Sequence, residues 1–412
     1  MTPPRVLLVA PDRSYRTGAF VNAGRALGIQ ITVASWGQAP LALNGGGIRL
    51  DPLSPESSLT QIRDADSGAP FVAVLATDDA TVPLAHEISL ELGLSTNDSS
   101  ALHASTNKLS FRQTCEERGI AAPCYTVLEP EAFAPDKIAP VEFPCVVKPL
   151  SLSASRGVIR CENQEELLKA IPRVRRLISH EDSQGDKRVL IENYIEGDEY
   201  SVEAVLHNQE LKIIAIFEKP DRLAGPFFEE TIYVTPPRIS KNTQNAIYSA
   251  LSQVASALGF REGPIHAELR LASDGINFIE LASRTIGGRC GRVIEFLTGV
   301  SLETMVLANA VRQPFRLDQQ AGAFGVMMIP VPCAGVLRRV EGITAARKVP
   351  GIVSVDIDIR EGHRLVPWPE GGPYPGFIFS RCKDADQAEA ALREAHTKLS
   401  FVTAPELRVK VA

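Results

Sequence analysis

The stretch PIHAELRLASDGINFIELASRTIGGR (264–289) decides how the chain is read. Two runs of strand-forming residues flank Ser273-Asp274-Gly275, which suits a three-residue hairpin loop with glycine in the left-handed position. Such a loop pairs Ala272 with Ile276 and sets Glu268 directly across from Glu280. Period-2 alternation then puts His266, Glu268, Arg270, Phe278 and Glu280 on one face. Leu269, Leu271, Ile279 and Leu281 fall on the other, the core face. Opposed carboxylates have Cβ atoms about 5 Å apart and repel, so something must neutralise them. Two readings stay open. A hard divalent cation such as Mg²⁺ takes one or two carboxylates plus phosphate oxygens. Alternatively, Arg270 or another base pairs with them in a salt-bridge network.

The residues just beyond the hairpin favour an anion at this place. Arg284 offers a planar fork for a carboxylate or phosphate. Gly287 and Gly288 let backbone N–H groups approach an anion, and CGRVIEFL begins a helix whose N-terminus does the same. Upstream, PCVVKPLSLSASRGV (144–158) is a buried strand that ends in Lys148 and runs into a small-residue loop, Ser151 to Gly157. A lysine there can reach phosphates while loop N–H groups cover them; taken alone, it is equally a strand-end lysine reaching solvent. Lys108 opens a helix. VLIENYIEGDEY (189–200) offers a backbone edge for adenine, and Glu199 an acceptor for ribose hydroxyls or simply a solvated turn acid. Carboxylates, an arginine and an anion-binding turn within twenty or so residues describe a phosphoryl-transfer site.

The remaining sequence frames that site. The 412 residues have 44% apolar and 22% charged content, as in an ordinary soluble globular protein of several units. A net charge of -6 argues against a nucleic-acid partner. The apolar runs are too short for a bilayer, and the first, VLLVA (6–10), reads as a strand. Seven scattered cysteines without a C-x-x-C pair fit reduced thiols in a cytoplasm. Strands at 6–10, 31–35 and 71–77, with a helix at 82–93, describe a small open α/β domain. It has neither a G-x-G-x-x-G nor a P-loop motif. Residues 201–219 read as a hairpin turning at Asn208, and 164–178 and 244–258 as helices. The last ninety residues read as a small sheet subdomain with an amphipathic helix at 385–399. Phe227, Phe228 and Trp368 are candidates for a substrate pocket, or ordinary packing residues.

In order, TNKLSFRQTCEERGI, FPCVVKP, SASRGV, VLIENYIEGDEYSVE, HAELRL and FIELASRTIGGR resemble the ATP-grasp superfamily over about residues 105–300. HAELRL followed by IELASR and two glycines is most similar to the L-amino-acid ligase branch, carboxylate–amine ligases that make dipeptides. The resemblance implies an α/β and α+β multidomain protein. A pre-ATP-grasp domain would span 1–104, the central ATP-grasp domain 105–197, its C-terminal domain 198–320 and a sheet subdomain 321–412. It implies ATP with Mg²⁺, Mn²⁺ being an alternative ion, small carboxylate and amine substrates of the amino-acid class, and no nucleic acid or membrane; a homodimer is compatible with it. Lys108 and Lys148 would bind ATP phosphates beneath a loop including Ser153, Ser155, Arg156 and Gly157. Glu192, Asn193, Tyr194 and Ile195 would line adenine, and Glu199 would take ribose. Glu268 and Glu280 would hold the metal. Arg284, Gly287 and Gly288 would steady the acyl phosphate, and His266 would touch substrate. Two features depart from the pattern. The covering loop has a single glycine, and Ala282 stands where many relatives carry a third ligand, Asn. The same hardware serves carboxylation or nucleotide-biosynthetic ligation, and an inactive nucleotide-binding regulator is the alternative of another class.

Overall fold

The computed structural model describes residues 2–12, 14–37, 47–51, 54–130, 141–181, 186–318 and 320–405. The chain begins with a parallel sheet. Its strands are β1 (Arg5–Val9), β2 (Gln30–Ser35), β3 (Ile48–Arg49) and β4 (Phe71–Ala76), in the order β3-β2-β1-β4. Every residue of Val6–Val9 is buried because β1 is covered on both faces, as a near-continuous apolar run predicts. Val6 and Leu8 join one core with the helix Thr17–Leu27. Leu7 and Val9 join another with Ile62 and Ile88.

Next come β5 (Tyr125–Leu128), β6 (Cys145–Pro149), β7 (Ile159–Cys161) and β8 (Val189–Asn193), ordered β5-β8-β6-β7 and antiparallel. The helix Gln164–Glu181 packs Leu167, Ile171 and Val174 onto this sheet. The rest of the chain supplies β9 (Asp198–His207), β10 (Glu210–Glu218), β11 (Ile232–Thr235), β12 (Gly263–Ala272), β13 (Gly275–Ala282), β14 (Ala323–Met328), β15 (Gly335–Glu341), β16 (Ile352–Ile357), β17 (Arg364–Leu365), β18 (Gly376–Cys382) and β19 (Ser400–Ala404). Eight of these form one sheet, β13-β12-β9-β10-β11-β14-β18-β16, and β17-β15-β19 form a small one. The C-terminal stretch therefore does two things. Three of its strands make the small sheet, and three others prolong the large sheet that carries the glutamate hairpin.

The hairpin differs from its sequence reading in a way that cancels. The turn has two residues, Ser273-Asp274, and Ala272 pairs with Gly275. Gly275 sits at φ 132°, outside the helical left-handed region expected of it. This shifts the register by one, so Leu269 opposes Phe278. A bulge at Ile279 then restores it, and Glu268 does oppose Glu280. The bulge also exchanges two residues. Phe278 is buried in the core with Leu269 and Leu281, and Ile279 lines the cavity described next, the reverse of strict alternation.

Candidate active site

The large sheet presents polar side chains in rows across its concave face. Glu199, Ser201 and Glu203 alternate along β9, and their neighbours on β12 are Arg270, Glu268 and His266. Glu280 and Ala282 continue the rows on β13. This face, the β6–β8 sheet and the loops of the first sheet enclose a cavity of about 640 Å³. Lys108, Lys148, Ser153, Ser155, Glu192, Asn193, Tyr194, Ile195, Glu199, His266, Glu268, Glu280, Arg284, Gly287 and Gly288 all line it. Of the residues singled out in the sequence, Arg156 and Gly157 are not in its wall. Gly157 N–H donates to Pro369 O (3.0 Å) and Arg156 Nε to Gly371 O (3.1 Å). Phe228 lines the cavity; Phe227 bridges to Ile159, and Trp368 is buried beside Ala154.

At one end, Lys148 Nζ stands 2.5 Å from Glu192 Oε2, and Arg112 Nε donates to Glu192 Oε1 at 2.7 Å. Burial alone would raise the Glu192 pKa, but the Arg112 and Lys148 charges outweigh it and bring it down to about 2. Burial lowers that of Lys148, with Glu192 opposing. Arg112 also donates to the carbonyls of Phe278 (3.4 Å) and Ile279 (3.0 Å), so it fastens the bulge. Sequence reading missed Arg112. Its signal was available: it lies four residues after Lys108 on the same helix, which places both on one face. Lys108 Nζ donates to Leu152 O (2.8 Å) at the start of the covering loop.

At the other end the charge reverses. Lys219 Nζ, buried just past β10, donates to Glu199 (2.7 Å), Glu230 (2.7 Å) and Glu268 (3.0 Å). Oxygens of these three carboxylates lie within 4.8 Å of one another. Burial raises the Glu230 pKa, the Lys219 charge opposing. For Glu268 burial also works upward, but Lys219 and His266 prevail and lower it. His266 Nδ1 bonds Glu203 at 2.7 Å, and its Nε2 is 3.5 Å from Glu268. Burial disfavours its charged form, yet the bonds to Glu203 and Glu268 push it up to about 9. Lys219, Glu203 and Glu230 were also missed. Lys219 closes the run IIAIFEK much as Lys148 closes PCVVK, and Glu203 interrupts a buried strand as Glu280 does.

Glu280 is placed differently. Its charged neighbours, Arg284 Nη2 at 3.6 Å and Lys108 Nζ at 3.8 Å, stand beyond hydrogen-bond length. Two oxygen donors opposed on adjacent strands, one of them held by cations only at 3.6 Å and beyond, fit a hard divalent ion. Arg284 Nε donates to Asp79 Oδ1 (2.7 Å) of the first sheet's loops, and Arg16 Nη2 to Ile286 O (3.1 Å). Gly288 has φ 58°, and a Cβ there would lie 2.5 Å from Met328 Sδ, so the turn favours glycine. Arg289 follows, also left-handed at φ 55°, and leads into the helix Cys290–Thr298.

Residues 141–293 match the ATP-grasp domain family, and residues 327–404 match L-amino acid ligase C-terminal domain 2. The chain therefore contains an ATP-grasp domain followed by a domain of the L-amino acid ligase C-terminal type. Among curated relatives, the chain is 25% identical over 258 residues to dapdiamide A synthase of Enterobacter agglomerans, covering 60% of this chain and 58% of that protein. It is 29% identical over 177 residues to a D-alanine–D-alanine ligase of Staphylococcus carnosus, covering 39% and 46%. An uncharacterized protein of Sinorhizobium fredii is 22% identical over 312 residues, 75% of this chain and 63% of its own length. The chain thus spans about three fifths of the first of these curated relatives' length. Among solved structures, an L-amino acid ligase from Bacillus licheniformis superposes with a TM-score of 0.79 at 23% identity, covering 98% of this chain and 100% of that one. The same fold recurs in a biotin carboxylase domain from Hydrogenobacter thermophilus in complex with MgADP and bicarbonate (TM-score 0.67, 16% identity, 98% and 91% covered).

Proposed function

We propose that the chain is an ATP-dependent ligase that joins a carboxylate to an amine through an acyl phosphate, with amino acids as substrates and a dipeptide or amide as product. The observation that carries this is the opposed Glu268/Glu280 pair with Arg284 one turn on, facing Lys148 across one cavity. A carboxylate oxygen of the first substrate attacks the γ-phosphorus of ATP. The bond from that phosphorus to the bridging oxygen of ADP breaks. The amine nitrogen of the second substrate then attacks the activated carbonyl carbon, phosphate departs with the C–O electron pair, and the nitrogen's proton leaves to solvent. Glu268 and Glu280 would hold Mg²⁺, which supplies charge neutralisation at the phosphate oxygens when bound. This chain's part is mostly positioning and charge. Lys148 and Lys108 hold phosphates, Arg284 and the 287–288 turn hold the acyl phosphate, His266 contacts substrate, and Glu192 to Ile195 and Glu199 take the nucleoside.

The division at 104/105, 197/198 and 320/321 belongs to the same proposal. So do a homodimer and a cytoplasmic location. All seven cysteines are free, and among the described residues no single helix is long and apolar enough to cross a membrane. Met328, Tyr374 and Phe377 line the cavity with Arg289, itself 2.7 Å from Asp358. That mixture suits an amino acid with an apolar side chain. The test is ADP release with ATP, Mg²⁺ and pooled L-amino acids, followed by mass spectrometry of responding pools. A product with the mass of two amino acids less water is expected. Bicarbonate-stimulated ADP release in its place would turn the reading to carboxylation. ATP binding without ADP release from any mixture would turn it to a nucleotide-binding regulator.

A further inference from the structure

The covering loop, Ser151 to Gly157, is tied from behind to the C-terminal loop at 366–374. Trp368 Nε1 donates to Ala154 O at 3.1 Å. Gly157 N–H donates to Pro369 O at 3.0 Å. Arg156 Nε donates to Gly371 O at 3.1 Å, and its Nη2 to Glu370 O at 3.5 Å. Outside these, Arg173 on the helix Gln164–Glu181 grips both Glu370 oxygens, at 2.5 and 2.8 Å. Each bond joins residues about two hundred positions apart, so none of them follows from local chain geometry.

The loop needs such support. Ala154 and Ser155 have φ of 56° and 53°. Two successive non-glycine residues in the left-handed region persist only where their surroundings hold them. The lone glycine, Gly157, covers only the loop's end. The restraint that extra glycines or their absence leave unsettled comes from Trp368 and its neighbours.

Trp368 has a second contact. Its ring stacks on Tyr374, centroids 4.9 Å apart and planes 26° from parallel. Tyr374 lines the cavity together with Gly372, Pro373 and Phe377. Among the described residues no hydrogen bond of ordinary geometry reaches the buried Tyr374 hydroxyl, so a polar group on a bound substrate would complete it. One indole thus touches the phosphate-covering loop with its N–H and the substrate wall with its face.

We propose that Trp368 is a positioning residue for the ligation, which makes closure over ATP and closure around the amino-acid substrate a single event. The proposal rests on reading Ser151–Gly157 as the cover of the ATP phosphates. Its use is chemical: an acyl phosphate must be kept from water until the amine arrives. A cover locked to the substrate wall opens only when that wall relaxes.

The experiment compares wild type with Trp368→Phe, which keeps a ring to stack and removes the N–H. Hydrogen exchange of the 151–157 amides is followed with and without Mg-AMP-PNP, alongside ADP released per amide bond formed. In the wild type, Mg-AMP-PNP should slow exchange in this segment. In Trp368→Phe exchange should be about fivefold faster, the worth of one hydrogen bond, and KM for ATP should rise by a similar factor. ADP release should exceed amide formation, as water reaches the intermediate, and the thermal midpoint should stay near that of wild type. Equal exchange and equal coupling in the two proteins would overturn the tie alone. A wild-type segment indifferent to Mg-AMP-PNP would overturn the covering role and the proposal with it. Should Trp368→Phe fold poorly, Arg173→Met serves instead. It breaks the outer grip on Glu370 from a half-exposed position, should loosen the same amides in the same direction, and by leaving them unchanged would count against the tie.

Discussion

Two lysines close two apolar strands in this chain, and their surroundings are opposite. Lys148 shares one carboxylate, Glu192, with a second cation, Arg112. Lys219 bonds three carboxylates, Glu199, Glu230 and Glu268, of which Arg270 also bonds Glu199 and His266 stands 3.5 Å from Glu268. The first cluster has positive charge to spare and suits phosphate. The second has negative charge to spare and suits a cation. The same local pattern, a lysine ending a hydrophobic run, therefore belongs to two clusters of opposite net charge. What distinguishes them is the strand or helix that each faces, and local sequence does not state that.

The largest effect should come from the negative pole. Glu280→Ala should lower kcat/KM for ADP release roughly 10³-fold while leaving the melting temperature near that of wild type. Undiminished turnover would remove the metal role and the meaning of the contrast. Next, Lys219→Met should destabilise the fold by about 3–5 kcal/mol, because it strands buried carboxylates. Burial would then push the Glu230 and Glu268 pKa values up. A carboxylate raised on folding contributes stability that is lost as pH rises through its folded value. The variant should accordingly lose more stability at pH 8 than at pH 5, measured by urea unfolding.

Glu192 tests the positive pole with the opposite sign. Its pKa falls from an ordinary 4.5 to about 2 on folding, so its contribution is full above 4.5 and is lost as pH falls toward 2. The stability difference between wild type and Glu192→Gln should shrink by about 2 kcal/mol between pH 6 and pH 3. A constant difference would mean that Arg112 and Lys148 do not act on it as described. The smallest contrast lies at the bulge, which Arg112 joins to the positive pole. Phe278→Ala should cost about 3–5 kcal/mol, as for other buried aromatic truncations. Ile279→Ala should stay within about 1 kcal/mol and chiefly weaken ATP binding by fluorescence titration. Equal melting shifts would restore strict alternation.

That bulge also shows what the sequence could carry. The opposition of Glu268 and Glu280 was legible, but the route to it was not. A turn one residue shorter and a strand one residue longer compensate, and neither is marked by composition. Strand ends, helices and the order of motifs were legible because each depends on neighbours in sequence. Arg112, Lys219, Glu203 and Arg16 owe their places to partners on distant strands, so their types alone said little. The joining of β14, β16 and β18 to the large sheet was hidden for the same reason: pairing partners are chosen by topology, not by propensity.

Consider finally the bonds that hold Arg284 and its turn. Asp79 and Arg284 are 205 positions apart, and Arg16 and Ile286 are 270 apart. The core beneath them joins Phe20 to Met305 and Leu302. In kinetic language these are contacts of very high order, whose loop-closure cost precedes the stabilisation they give. On the function proposed, a chain in which Arg284 still lacks Asp79 would have a place for phosphates before it had a finished centre for splitting them.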